Sequence, residues 1–378
     1  MSGMSEATGR RLLLGSGLGS ALMVGATVAL HGPSLTLYAQ RFGIGLTDAA
    51  LIVAAQWGGA FLAVGALMVG ARLTARWALG AIGLGCGLIA AGVSWPLTLL
   101  GALILGCGHG LSSAVFNSRL LAEFGPRGPS VLGLANALFG VGAIASPLVL
   151  VGMGNDPQRV FLFIAIGALA LWPFATPPRR PPAEAGTGLP LRRLLRNGRG
   201  VIWVGVVAVG IEAALAGLGP AALIARGATQ EGAALATSAL FAAFVASRLS
   251  LVWLALRVPA LRLLQAGFGG LALCMAGALL GPPEPFFVVA GLCVGVLFPA
   301  YFVLGSAMIG ATPRTGSVLV AGALAGGVGL PAALGGVGAA LFPVLGALSL
   351  LTLIALRWLV PGPVAPSDIA APDTASRP

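Results

Sequence analysis

One polar stretch, TPPRRPPAEAGTGLPLRRLLRNGRG from Thr176 to Gly200, interrupts a chain that is otherwise a succession of long apolar runs. It carries six arginines (Arg179, Arg180, Arg192, Arg193, Arg196 and Arg199) against one acid, Glu184. Its Pro-Pro pairs at 177–178 and 181–182 lack amide donors, so the stretch is expected not to continue a helix. It leaves near-equal parts on either side, residues 1–175 and 201–378. Two apolar halves of equal length joined by a basic linker suggest a duplicated, multi-span membrane architecture of the kind transporters use.

Composition sharpens this. Soluble domains are about a quarter charged, whereas this chain is 8% charged and 58% hydrophobic, with mean hydropathy +1.00. A water-soluble globule is excluded. The 59 glycines suit membrane helices, whose backbones approach closely through small residues. The net charge of +11 comes with no basic-aromatic patch or nucleic-acid motif, so its expected partners are lipid headgroups rather than nucleic acid. Cys86, Cys107, Cys274 and Cys293 stand singly in apolar runs, without metal or disulfide spacing. The first apolar run, from Leu12 to about Tyr38, is too long for a signal-peptide core and reads as an uncleaved span.

A helix needs about 20 apolar residues to cross the hydrocarbon core. Cutting at charges and turn residues predicts spans over 12–38, 48–70, 77–95, 97–118, 130–152 and 160–176. After the linker (177–200) come 201–225, 233–256, 261–281, 286–310, 316–336 and 339–360. Two of the turns carry no charge and are placed at Ser94-Trp95-Pro96 and near Gly335-Gly336-Val337-Gly338. The expected fold is therefore all-α, with twelve transmembrane helices in two six-helix halves and a disordered tail over 361–378. With the N-terminus inside, seventeen arginines fall in inner segments and three (Arg41, Arg159 and Arg226) in outer loops, Arg248 being set aside as buried. That bias puts both termini and the linker in the cytoplasm of a bacterial inner membrane. The fifth span reads ALFGVGAIASP (137–147) and the eleventh ALAGGVGLP (323–331), a glycine run before a proline at matching places. Such a match marks either repeats beside a transport path or tight packing through small residues.

Ionisable groups at membrane depth are costly and usually functional. Glu212 lies midway along the seventh span and His109 midway along the fourth. His31 lies in the outer half of the first, and Arg248 in the inner half of the eighth. Glu212, His31 and His109 are the candidates for proton coupling; the alternatives are a paired structural acid and neutral imidazoles satisfied by backbone carbonyls. Arg248 cannot lose its proton, so it must find an acid, carbonyls or the inner water boundary, in a structural or gating role. Gln56, Asn117, Asn136 and Tyr301 are candidate substrate contacts, with interhelical glue as the alternative. Trp57 faces either a cavity or lipid. The run GLGCG (83–87) has neither a preceding strand nor a following acid at the distance a dinucleotide fold needs.

VGIEAAL (209–215) resembles the seventh-helix Tyr-Val-Gly-Ala-Glu signature of fucose-permease-like transporters in the major facilitator superfamily. LANALFGVGAIASP (134–147), GVLFPAYF (295–302) and ALAGGVGLP (323–331) are similar to that group's fifth-, tenth- and eleventh-helix segments. ASRL (246–249) places Arg248 on its eighth-helix arginine. The resemblance spans about residues 12–360 and implies a rocker-switch transporter with a central cavity lined by helices 1, 4, 7 and 10, often proton-coupled and often carrying sugars. The chain departs from the pattern at several positions. ALHGPSL (29–35) and CGHGLSSAVFN (107–117) hold no carboxylate, and the signature tyrosine falls on Ala208. Asn136 stands for a histidine, and Thr74 for the acid after helix 2. A sugar requires many hydroxyl partners and stacking rings, so these departures weaken a sugar substrate.

The expected function is secondary transport of a small organic solute with protons as partner, in a monomer surrounded by lipid. The alternatives are a drug-type proton antiporter, or a non-transporting receptor or lipid-handling protein on the same fold. No acid-base pair or metal cluster with enzyme-like spacing is present, so no enzyme, metal or cofactor is expected. Without GxxxxGK[ST] and without lysine, ATP-driven pumping on this chain is excluded.

Overall fold

The computed structural model describes residues 6–175, 191–310 and 312–360. The proline pairs of the linker and the tail from Pro361 lie outside the described residues. The first half runs α1 (Glu6–Phe42), α2 (Leu46–Met68), α3 (Ala75–Ala91) and α4 (Trp95–Leu111). A π-helical turn (Ser112–Phe116) joins α4 to α5 (Asn117–Phe124), and α6 (Gly128–Gly152) and α7 (Pro157–Leu171) follow. The second half runs α8 (Leu191–Ala225), α9 (Gln230–Leu254), α10 (Ala260–Leu280), α11 (Pro283–Ile309), α12 (Pro313–Leu334) and α13 (Leu341–Leu359). With α4, the π turn and α5 forming one span, twelve helices cross the fold.

Eleven of these spans are long and apolar enough to cross a membrane. The twelfth, α3, has 17 residues and is about 26 Å long at 1.5 Å per residue. That is slightly short of a hydrocarbon core of about 30 Å. Both uncharged turns fall at or beside the expected places: the first spans 92–94, with Trp95 and Pro96 opening α4, while α12 ends at Leu334 before a 3₁₀ turn at Gly338–Ala340. Several boundaries move by a few residues, and the start of the seventh span moves furthest. α8 begins at Leu191, inside the stretch assigned to the linker, and takes in Arg192, Arg193, Arg196 and Arg199. The proline pairs stop a helix only where they stand, and Pro190 precedes a segment, LRRLLRNGRG, with nothing in its composition against helix.

The halves repeat each other in packing. α1 lies on α6, α2 on α4, and α3 on both α4 and α7. In the second half α8 lies on α12, α9 on α11, and α10 on both α11 and α13. The glycine runs of the fifth and eleventh spans sit at equivalent seams. A Cβ at Gly142 would collide with the carbonyl of Leu22 on α1, and one at Gly326 with the carbonyl of Val206 on α8. The outward face is apolar, with Leu62, Leu162, Leu273 and Leu351 well exposed. In lipid such a face is solvated by acyl chains, and no polar coat is needed.

The seam gives a test with opposite signs on one helix. Gly329 has nothing within 4 Å of an added Cβ, so Gly329→Ala should raise the melting temperature slightly, alanine being better than glycine in a helix by about 0.5–1 kcal/mol. Gly326→Ala should lower it and reduce monodisperse yield on size exclusion, because a backbone carbonyl cannot move aside as a side chain can. Equal melting temperatures for the two variants would show that α12 is not packed this closely.

Candidate functional site: a cavity between the two halves

The halves meet along α1–α8, α2–α12 and α6–α9, and the tight contacts gather at one end. The end of α1 joins the start of α9: Thr36 Oγ1 donates to Gln230 Oε1 at 2.6 Å, and Gln230 Nε2 donates to the Pro33 carbonyl at 2.6 Å. A Cβ at Gly32 would collide with the Ala216 carbonyl of α8. Ser238 Oγ of α9 donates to the Ile144 carbonyl of α6 at 2.8 Å. At the start of α2, Ala50 and Thr47 pack on Gly335 at the end of α12. Toward the opposite end, where the linker joins, the halves part around a cavity of about 940 Å³. Leu121, Leu132, Phe302 and Ser317 line it there, two from each half.

Glu212, His31, His109, Arg248, Gln56, Asn117 and Asn136 all line this one cavity. Tyr301 is the exception. It is fully buried, its ring occupies the space left by Gly205 on α8, and its hydroxyl donates to the Leu319 carbonyl at 3.0 Å. The tyrosine therefore ties α11 to α12 rather than facing solute, which corrects its placement among the substrate contacts. Gln56 Nε2 donates to Thr27 Oγ1 at 3.3 Å, and the residue lines the cavity. Trp57 lies against Gly327 of the other half and beside the cavity, 5.8 Å from the His109 ring.

The π turn explains how one helix presents His109, Ser113 and Asn117 together. Eight residues of regular α-helix overshoot two turns by about 80°. A π turn absorbs one extra residue, so Asn117 returns to the face that carries His109. Ser112, at the start of that turn, is held to Ser20 of α1 by a 2.6 Å hydroxyl contact.

Glu212 and Arg248 find each other. Arg248 Nη2 stands 3.9 Å from Glu212 Oε1, with side chains 34% and 18% exposed, and both line the cavity. That separation exceeds hydrogen-bond reach. At an effective dielectric of about 20 the attraction is about 4 kcal/mol, against a desolvation penalty of several kcal/mol per ion. The pair is poised rather than locked. Among the described residues, Glu212 Oε2 and Arg248 Nε are both enclosed without a hydrogen-bond partner. The guanidinium lies over the Phe244 ring at 4.2 Å, one helical turn earlier on α9; that four-residue step was available in the sequence and is the signal that could have paired them.

The histidines differ. His31 is 1% exposed, stacked on Phe161 at 5.3 Å, and neither ring nitrogen has a partner among the described residues. His109 Nδ1 is likewise unpartnered. Phe139, Phe241, Phe244 and Phe298 complete the wall at mid-depth, and single phenylalanines in apolar spans gave no signal that they would converge.

No protein-family model and no curated protein sequence matches this chain. Solved structures do. A mutant of the nucleoside transporter NupG superposes with TM-score 0.73 at 14% identity, covering 93% of this chain and 99% of that one. The xylose transporter XylE from E. coli, in a partially occluded inward-open conformation, gives 0.72 at 14% identity, covering 93% and 97%. The fold is the major facilitator fold. FucP in its outward conformation, at 18% identity and coverage of 90% and 98%, gives 0.57. A different inclination of the two halves lowers a rigid whole-chain superposition, and the cavity here opens on the linker side.

Proposed function

We propose that this protein is a secondary transporter that moves a small organic solute across a bacterial inner membrane by alternating access, with Glu212 carrying a coupled proton. One observation supports this above the others: an acid and an arginine, incompletely satisfied, stand in a cavity between two duplicated halves that is sealed at one end and open at the other. His31 and His109 are secondary proton-handling candidates, and Gln56, Asn117 and Asn136 candidate solute contacts. All lie within one chain, so a monomer in lipid is sufficient. The structural relatives named for nucleoside and xylose transport are in keeping with this reading.

The test uses proteoliposomes loaded with a pH-sensitive dye and offered pools of sugars, nucleosides, amino acids and carboxylates. Proton movement with one pool, absent in protein-free vesicles, is the expected result. A folded protein that moves neither protons nor solute with any pool would favour a receptor.

The arginine bias assigns the linker, both termini and the cavity mouth to the cytoplasm. Reporter fusions at Arg127, Gly188 and Arg257 should read cytoplasmic, and those at Asp156 and Glu284 periplasmic. A periplasmic signal at Gly188 would overturn the assignment.

A further inference from the structure

The Glu212–Arg248 pair is asymmetric in one chemical respect. The carboxylate can give up its charge by taking a proton, whereas the guanidinium cannot lose its own. A cationic solute drawn to Glu212 would leave Arg248 charged and uncompensated at membrane depth. An anionic solute drawn to Arg248 leaves an acid that water can neutralise. The site is therefore built to release its acid, not its base.

The geometry agrees. Arginine offers a planar fork of N–H donors matched to a carboxylate. Here Phe244 covers the fork's face at 4.2 Å, Glu212 opposes one nitrogen at 3.9 Å without bonding, and Nε is enclosed with no partner among the described residues. Among the described residues lining the cavity, Arg248 is the sole cation, so a second negative charge on the solute would go unpaired. The wall at this level is aromatic, formed by Phe139, Phe241, Phe244, Phe298 and Trp57. The neutral hydrogen-bonding side chains of the lining are Gln56, Asn117, Asn136 and three serines, fewer than its apolar ones.

We propose that the solute is a small monocarboxylate with an aromatic or compact apolar body, whose carboxylate replaces that of Glu212 on Arg248. Glu212 then takes one proton from water at the open mouth. No covalent bond of the solute forms or breaks: its carboxylate gains the Arg248 donors, and the Glu212 carboxylate loses Arg248 and gains the proton. The site is neutral before, as carboxylate plus guanidinium, and neutral after, as bound carboxylate plus guanidinium plus protonated Glu212. Without the proton the loaded cavity would hold one uncompensated negative charge, so electroneutrality ties uptake of one proton to binding. The other titratable groups facing the pair are His31 on α1 and His109 on α4; α2, α6, α11 and α12 bring none to the lining, Tyr301 facing Leu319 instead.

This proposal deepens the transporter reading and rests on it only for the direction of movement, since recognition is measured without flux. Purified full-length protein in detergent is titrated calorimetrically between pH 6 and 8 with benzoate, phenylacetate, benzamide, phenylacetamide, benzylamine and L-phenylalanine. Proton uptake is read in parallel with an indicator in weak buffer. The carboxylates should bind at least about tenfold more tightly than their amides, with one proton taken up per ligand. Their affinity should rise about tenfold for each unit the pH falls, the slope for one linked proton.

Glu212→Gln should still bind the carboxylates, with no pH slope and no uptake. Arg248→Gln should lose them, and Arg248→Lys should recover only part, because an ammonium does not supply the fork. Melting curves confirm that each variant is folded. Amides binding as well as acids, preference for benzylamine or L-phenylalanine, binding without proton uptake, or a folded wild type that binds neither carboxylate would each overturn the proposal. Carboxylate binding with proton uptake but no flux in vesicles would leave it standing and sink the transporter reading alone. Proton-coupled flux of a different solute class would do the reverse.

Discussion

Glu212→Gln should bind and exchange its solute across liposomes but fail to accumulate it when a pH difference is imposed. The amide keeps the size of the protonated acid, so the loaded form of the cavity is preserved. What it lacks is the charged form, the state that opposes Arg248 at 3.9 Å in the unloaded cavity. If the cycle returns empty as an ion pair and crosses loaded as a protonated acid, the variant is confined to the loaded half of that cycle. Exchange needs only that half; net accumulation needs both. For one coupled proton, a difference of one pH unit can sustain a solute ratio of about ten in the wild type, and the ratio in Glu212→Gln should stay near one. Counterflow and pH-driven uptake in the same vesicles separate the two quantities. Unchanged accumulation would transfer the proton to His31, whose two ring nitrogens lack partners among the described residues, or to His109, whose Nδ1 does. Loss of exchange together with accumulation would mark Glu212 as a solute ligand.

The sequence was most legible where water meets lipid. Arginines and turn residues mark the ends of spans because charge is costly inside the bilayer. Even the uncharged turns at Trp95 and Gly335 could be placed, since the apolar runs around them were too long for one crossing. Helix ends were less legible than membrane ends. The arginines from Arg192 to Arg199 mark the boundary of the apolar run, yet α8 continues through them from Leu191, because a charged helix in water costs nothing comparable. Polarity found the depth of a residue but not its direction. Glu212 and Tyr301 are both polar groups near the middle of a span, and only the first faces the cavity. The second is turned onto α8 by the gap at Gly205 and satisfied by a carbonyl of α12. The π turn at Ser112–Phe116 left no periodic trace, because apolar residues surround the whole of that span. Convergence of five aromatic rings from four helices is likewise a property of packing between segments, which no single run contains.

A cross-link between α1 and α9 at the sealed end should abolish transport almost completely while leaving binding from the open mouth intact. Thr36 and Gln230 meet at 2.6 Å, and Gln230 also holds the Pro33 carbonyl, so these helix ends move as one body while the seal is shut. The contacts behind them are backbone-close: Gly32 abuts the Ala216 carbonyl and Gly335 abuts Ala50. Such a seam cannot open gradually. Its residues are either in contact or parted, which is what makes a packed interface bistable. Alternating access requires it to part once in each cycle.

In a Thr36→Cys/Gln230→Cys protein, with Cys86, Cys107, Cys274 and Cys293 replaced, a short bifunctional thiol reagent should reduce flux to the background of protein-free vesicles. A reductant should restore it if the bridge carries a cleavable disulfide. The single-cysteine proteins treated alike should keep their flux, which separates bridging from blockage by the reagent. Ligand binding measured in detergent should survive the bridge, because the cavity opens at the other end. Undiminished flux in a demonstrably bridged protein would mean that this seam never opens, and the rocking of the two halves would have to be abandoned as the mechanism.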